Sequence, residues 1–451
     1  MASTHSLDMT SGPISKRLIT FAFPVLVTFL LQQLYTVADK AIVGRFAQNG
    51  MQALAAVGAV GPFVALVLNM NSGLSAAVNV RCANLRGSGE LELLRKSMHT
   101  SIILSGLLGI FLECVGLCSS RAALQLLETP PEIFELSLLY IKIYMVGLPA
   151  GVIYNFGAAI LRAHGDTKRP MYILLVTGLI NVLLNLVFVV ILGMSVAGVA
   201  LATLIAQVLS AVWVLWILFD PKGDYKLLPK QLRLHGESAK VILRLGIPSG
   251  VDRMAFSIAN MVMQASVNSF QSTAILAGKT VATDIGELIS QVQYAFGVAC
   301  MSFSGQCYGA KKYKRIDRML LRAIPLCCGI LAVLATVITI FPGFIVSIFN
   351  SDPAAIAAGK EILLTIIWGY LLYALAQIFY NTSRGMGASL SIMLLNVLGI
   401  IVPRLLWIWV FFPMRHQITW LFLCYPISWG ASALFQGAYY IHWRRKTRKT
   451  L

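Results

Sequence analysis

Long runs of apolar residues, separated by short polar segments, recur along the whole chain. Twelve such runs lie near residues 18–44, 52–79, 98–118, 133–159, 170–192, 195–219, 240–266, 272–303, 319–341, 355–382, 388–412 and 417–441. Each run is long enough to cross a bilayer, since a spanning helix needs about 20 apolar residues. Strands of a membrane β-barrel would show shorter segments of alternating hydrophobicity. The pattern therefore predicts an all-α integral membrane protein with twelve transmembrane helices.

The composition excludes a soluble protein. Of the 451 residues, 58% are hydrophobic and only 12% are charged, whereas soluble domains carry about 25% charged residues. The sequence contains no HExxH or GxSxG motif, which argues against an enzyme. Because no ATP-binding loop occurs either, a transport function would have to draw on an ion gradient. The eight cysteines lack metal-ligand spacing, so neither disulfides nor a metal site is expected.

The net charge of +18 is distributed as a membrane-topology signal, not as a nucleic-acid surface. If the amino terminus is cytoplasmic, 27 of the 36 Lys and Arg residues fall in inside-facing segments and four fall outside. This bias predicts a multi-pass protein of the plasma (inner) membrane with both termini in the cytoplasm. The expected partners are small organic substrates and membrane lipids. Nucleic acid is not expected, and the protein is expected to be monomeric.

The two halves of the sequence resemble each other. The polar segment 220–238 leaves six apolar runs on each side, which predicts an amino-terminal bundle, residues 1–225, and a carboxy-terminal bundle, residues 226–451. An offset of 224 aligns Pro24 with Pro248, and an offset of 222 aligns a further block in both halves: Gly147, Arg162 and Gly165 with Gly369, Arg384 and Gly387. Two six-helix repeats in parallel orientation predict a cleft between the bundles, as in alternating-access transporters.

Several segments resemble the multidrug and toxic compound extrusion (MATE) transporters. They include "FAFPVLVTFLLQQLYTVADKAIVGRF" (21–46), "NFGAAILRAHGDTKRPMY" (155–172) and "GQCYGAKKYKRI" (305–316). The resemblance covers residues 15 to about 440. It implies a twelve-helix antiporter, not an enzyme, that expels organic, often cationic or aromatic, compounds against an inward flow of H+ or Na+.

One face of the first helix carries polar residues, although a charge in hydrocarbon costs a few kcal/mol. Gln32, Tyr35, Thr36 and Asp39 recur at helical spacing. We expect Gln32 and Tyr35 to line a substrate cleft and Asp39 to bind the coupling ion. The alternative is that Asp39 pairs with a base and only holds helices together.

Further oxygen donors occur in the same half. Asn155 lies on the fourth helix, and Asn181 and Asn185 lie one turn apart on the fifth. The resemblance implies an ion site formed by Asp39, Asn181, Asn185 and Thr203. Some relatives have an aspartate in place of Asn185, so this chain has one carboxylate where they have two. Burial among neutral amides disfavours a charged carboxylate, which favours H+ over Na+. No cofactor besides this ion is expected.

Charged residues also interrupt the helices of the second half. Asp252, Asp284 and Glu287 could be neutralised by Arg253, Lys279 and Arg404, which would make a structural network. They could equally take part in coupling or bind a charged substrate. Met254 and Met261 could soften the wall of a cleft. The three basic residues are also compatible with an alternative function, a lipid-linked precursor flippase of the same superfamily.

Overall fold

The fold is all-helical. A computed structural model describes residues 7–47, 49–220, 225 and 227–450, apart from the side chains of residues 448–450. Within these ranges the regular elements are helices, and no strand occurs. The predicted all-α fold class is therefore confirmed.

The first half contains six long helices, and several of them are longer than a bilayer requires. They are α1 (Ile14–Phe46), α2 (Gly50–Ser88), α3 (Leu91–Leu126), α4 (Pro131–Ala163), α5 (Lys168–Asn185) and α6 (Ser195–Phe219). The fifth helix continues directly into a π-helical turn, Leu186–Ile191. Helix α4 packs against α2, α3 and α6 and lies at the centre of this half.

The helices of the second half are interrupted more often than those of the first. Its helices are α7 (Gly236–Asn268), α8 (Thr273–Gly309), α9 (Tyr313–Ile340), α10 (Pro342–Ser347), α11 (Pro353–Ile366), α12 (Gly369–Gly385), α13 (Ser389–Asn396), α14 (Val402–Leu406), α15 (Ile418–Phe422) and α16 (Cys424–Thr450). Two π-helical turns, Val397–Ile401 and Trp407–Phe411, flank α14. Helix α12 packs against α8 and α16.

The described helices account for the twelve predicted spans. Nine helical stretches within the described ranges are long and apolar enough to cross a membrane, and the pair α11 and α12, bent by 49°, makes a tenth. Helices α7 and α8 have 33 and 37 residues but are not among these ten. Helix α7 carries Asp252 and Arg253, and α8 carries Lys279, Asp284 and Glu287, and these charges lower the hydropathy of both helices.

Contacts along the chain divide it into two units. One contains Phe23–Gly250, and the other contains Met9–Ala22 and the chain from Val251 onward. The first helix therefore changes unit at Phe23, one residue before Pro24, and α7 changes unit at Val251, three residues after Pro248. The boundary predicted between residues 225 and 226 falls in a segment of which only Tyr225 is described, so it stays a prediction.

Glycines allow the helices of each unit to approach closely. In the first unit, a Cβ atom at Gly109 of α3 would lie 2.6 Å from Cα of Pro149 in α4. In the second unit, a Cβ atom at Gly385 of α12 would collide with the backbone oxygen of Met301 in α8. In lipid, where helices gain little from the hydrophobic effect, such close packing supplies much of the association energy.

This packing predicts a position-specific effect of adding a methyl group to α3. We expect Gly109→Ala to lower the free energy of unfolding by about 1–3 kcal/mol, because the backbone of α4 must move. The matched control is Gly106→Ala on the same helix, where a Cβ atom has no neighbour within 4 Å. Thermal unfolding of the purified variants in detergent measures the difference. Equal melting temperatures for the two variants would contradict the prediction.

Candidate functional site

Four of the five residues predicted to bind the coupling ion lie together in the first unit. Asp39 of α1 is half-buried, and Nδ2 of Asn185 donates to its Oδ1. With the amide of Asn181 turned so that its nitrogen faces Asp39, that nitrogen lies 3.0 Å from Oδ1 of Asp39. The Asn181 oxygen then accepts from the backbone nitrogen of Thr203 at 3.3 Å. One carboxylate oxygen thus receives two neutral amide donors from α5.

The sequence of α5 explains why both amides reach one carboxylate. Asn181 and Asn185 are four residues apart and share a helix face, and their exposed fractions are 5% and 0%. Asn185 is also the last residue of α5 before the π-helical turn Leu186–Ile191. Turns of this type are frequent at functional sites.

One polar atom of this cluster has no partner. Within the described ranges, Oδ1 of Asn185 is buried and accepts no hydrogen bond. Leaving a buried acceptor unsatisfied costs about 1–3 kcal/mol. An unused oxygen beside a carboxylate suits a proton carrier such as a water molecule, or a small cation that prefers oxygen ligands.

Tyr35 lies one turn before Asp39 and also faces α5. Its hydroxyl donates to the backbone oxygen of Leu175 at 3.1 Å. Its ring lies where a side chain at Gly178 would stand, so this position requires glycine. The other predicted cleft residue of α1, Gln32, is exposed. Tyr35 therefore packs α1 onto α5 beside the acid, and Gln32 contributes nothing to that contact.

Asn155 is the member of the predicted set that lies apart. Its Nδ2 donates to the backbone oxygen of Gly151 in its own helix, at 2.9 Å. No hydrogen bond joins it to Asp39 or to the asparagines of α5. The neighbouring Tyr154 instead links α4 to α5, because its hydroxyl donates to the backbone oxygen of Pro170 at 3.2 Å.

The second unit contains a comparable acid on α7. Asp252 is 5% exposed, and its Oδ1 accepts from Nδ2 of Asn396 at 2.9 Å. Its Oδ2 accepts from the hydroxyl of Tyr380, also at 2.9 Å. Sequence reasoning missed Tyr380 and Asn396 as partners. Two neutral donors hold this carboxylate, and the charges of Arg384 and of Arg253, one of the predicted bases, also act on it.

The two acids share a local arrangement without being equivalent in the repeat. Asn396 ends α13 directly before a π-helical turn, just as Asn185 ends α5. In the alignment of Pro24 with Pro248, however, Asp252 falls opposite Thr28. Thr28 precedes Asp39 by about three helical turns, so a search for aligned residues could not pair the two sites.

The other charged and methionine candidates are spread over α7 and α8. Asp284 and Glu287 are exposed on α8, and Nζ of Lys279 donates to Oε1 of Gln264 at 2.6 Å. Met254 is half-buried and Met261 is 60% exposed. The structure does not gather these residues around the carboxylate of Asp252.

Comparisons with known proteins identify relatives over most of the chain. The MatE family model matches residues 24–187 and 248–409, one stretch in each half. A Bacillus subtilis (strain 168) protein named "Probable multidrug resistance protein YoeA" is 27% identical over 443 residues, covering 94% of this chain and 93% of its own. A Shewanella oneidensis (strain MR-1) protein named "FAD transporter" is 22% identical and covers 90% of this chain and 89% of its own.

A solved structure shares the fold. The crystal structure of MATE in complex with MaL6 superimposes with a TM-score of 0.92 at 22% identity, and all of both chains is covered. This likeness indicates that the present chain shares the two six-helix bundles of that fold.

The hydrogen bonds predict different roles for two asparagines of the first unit. We expect Asn185→Ala to lower the free energy of unfolding by about 1–3 kcal/mol, because Asp39 loses a donor in a buried setting. Asn155→Ala removes only a bond to its own helix and serves as the matched control. Thermal unfolding in detergent, at one pH for both variants, measures the difference. A larger loss for Asn155→Ala would count against the cluster.

Proposed function

Because this chain belongs to the multidrug and toxic compound extrusion family of membrane transporters, we propose that it is a secondary active antiporter that exports organic compounds in exchange for protons. The substrates would be cationic or aromatic. The relative named as an FAD transporter supports the aromatic part of this class. The charge bias of the loops supports a plasma-membrane location with both termini in the cytoplasm.

The observation that carries the proposal is the carboxylate of Asp39 between two amides of α5. The amide N–H groups favour the charged carboxylate, and burial favours the protonated acid. A small change in the distance between α1 and α5 would therefore shift the acid from one form to the other. Such a group can take up a proton in one conformation and release it in another.

The prolines of α1 and α7 support a link between the ion site and a conformational change. A proline inside a helix removes a backbone hydrogen bond and permits a bend. Pro24 and Pro248 lie where their helices pass from one unit to the other. We propose that bending at these positions accompanies alternating access, with α1 responding to the protonation of Asp39.

The preference for H+ over Na+ rests on the ligands that the site offers to an ion. Na+ binding would gain from a second carboxylate, and the neutral amide of Asn185, whose nitrogen faces Asp39, stands in its place here. The unpartnered oxygen of Asn185 offers one further ligand. So small a set of oxygen ligands is a poor substitute for the water molecules that Na+ must shed. A proton needs only the single carboxylate.

A lipid-linked precursor flippase is the second candidate function. It is favoured by one observation, the fully buried guanidinium of Arg404 in the second unit. Such a transporter would carry a lipid phosphate and would need cationic groups along its path.

The central prediction concerns the acid of α1. In liposomes with a pH gradient, we expect Asp39→Asn to reduce uptake of ethidium to the rate of protein-free liposomes, because the variant cannot exchange a proton. Asp252→Asn is the comparison, and we expect it to keep most of the flux because both oxygens of that carboxylate already accept a hydrogen bond, whereas the amides of α5 reach only Oδ1 of Asp39. Monodisperse elution of both variants from a sizing column controls for folding. Full ethidium uptake by Asp39→Asn would reject the assignment.

A second prediction separates the two ions. At equal pH on both sides, a Na+ gradient alone should drive no ethidium uptake by the wild-type protein. A K+ gradient of equal size controls for osmotic and membrane-potential effects. Uptake that follows the Na+ gradient and not the K+ gradient would show that the proton preference is wrong.

A further inference from the structure

Arg404 is the most deeply buried charged side chain of the second unit. Its exposed fraction is 0%, and it is the largest of the fully buried side chains. It lies on α14, the five-residue helix between the π-helical turns Val397–Ile401 and Trp407–Phe411. A charged group at membrane depth is costly and usually marks a functional pathway.

The surroundings of this guanidinium are neutral. Its Nη1 donates to Oδ1 of Asn260 at 2.9 Å. Its central carbon lies 4.3 Å from the ring centroid of Tyr425 and 5.3 Å from that of Phe256. Cation–π contacts of this kind offset part of the cost of burying the charge, but no carboxylate is among these contacts.

One edge of the guanidinium has no partner. Across the part of the chain that the structure describes, Nε and Nη2 of Arg404 are buried and donate no hydrogen bond. These two nitrogens share an edge of the planar group, and their N–H bonds point the same way. That edge matches the two oxygens of a carboxylate or phosphate, which arginine binds with paired hydrogen bonds.

A purely structural role accounts poorly for this arrangement. Each buried donor that lacks a partner destabilises the folded protein, and apolar residues can often replace a buried charge without loss of stability. A neutral side chain such as glutamine would also donate to Asn260 and pack on the rings, and it would bury no charge. The free edge is therefore the feature that requires arginine.

We propose that Arg404 forms an oxyanion-binding subsite in the second unit, which takes the carboxylate or phosphate group of an exported organic compound. The exposed Asn260 and the half-buried rings of Phe256 and Tyr425 connect the guanidinium to the surface. These rings can contact the apolar part of the compound. This inference rests on the proposed export function and extends its substrates to anionic and zwitterionic compounds.

The test is an equilibrium binding measurement that needs no ion gradient. FMN and riboflavin serve as probes, because both fluoresce and they differ only by a phosphate group. With wild-type protein in phosphatidylcholine nanodiscs, we expect FMN to bind at least about tenfold more tightly than riboflavin. Failure of transport with preserved binding would count against the antiporter alone, so the two proposals are tested separately.

Three variants assign the preference to the free edge. Arg404→Gln should abolish the preference for FMN, and Arg404→Lys should reduce it, since lysine keeps the charge and lacks the paired donors. Arg253→Gln removes an exposed charge of α7 and should leave the preference unchanged. Thermal unfolding confirms that each variant is folded, and Arg404→Lys alone suffices if Arg404→Gln is unfolded.

Three outcomes would overturn the proposal. The first is equal affinity of the wild-type protein for FMN and riboflavin. The second is a preference that survives in both Arg404 variants, or that Arg253→Gln abolishes as fully. The third uses nanodiscs with phosphatidylglycerol: competition by this lipid in the wild type but not in Arg404→Lys would assign the subsite to a lipid phosphate, not to a substrate.

Discussion

Inside a bilayer, a polar group can find hydrogen-bond partners only within the protein, and this constraint governs the whole structure. It makes every regular element of the described chain a helix, since helices satisfy their own backbone. It also gives three of the charged groups described above a definite set of neighbours. The carboxylate of Asp39 has amides, that of Asp252 has an amide and a phenol, and Arg404 has an amide and two rings. Where a partner is missing, a ligand is the natural candidate to supply it.

Under this constraint the two polar clusters described above leave different kinds of atom without a partner. Beside the acid of the first unit, the unpartnered atom is an acceptor, Oδ1 of Asn185. In the second unit both oxygens of Asp252 accept a hydrogen bond, and the unpartnered atoms of Arg404 are donors. The first arrangement suits a positively charged species, and the second suits a negatively charged one. A duplicated fold can thus divide ion coupling and substrate recognition between its halves.

The hydrophobic pattern was sufficient for the architecture, because twelve apolar runs can satisfy the bilayer in only one way. It also placed Asn181 and Asn185 on one helix face, and the resemblance added Thr203. The pattern could not reveal the partners of Asp252, because Asp252 and Asp39 lie at positions of the repeat that do not align. The isolation of Asn155 was also hidden, because a bond to its own helix leaves no sequence signature. The free edge of Arg404 depends on side-chain orientation, which no spacing reveals.

The π-helical turns flanking α14 give the second half an unusual tolerance of a change in chain length. Each residue of an α-helix turns the following side chains by about 100°, and a π-turn accommodates one residue more than an α-turn. Loss of one amino acid from Val397–Ile401 would therefore convert the wide turn into ordinary helix. The residues after it would keep their register, and the guanidinium of Arg404 would stay against Tyr425. A gene lesion of three nucleotides at this turn would then leave a folded protein with its charge aimed at the same neighbour.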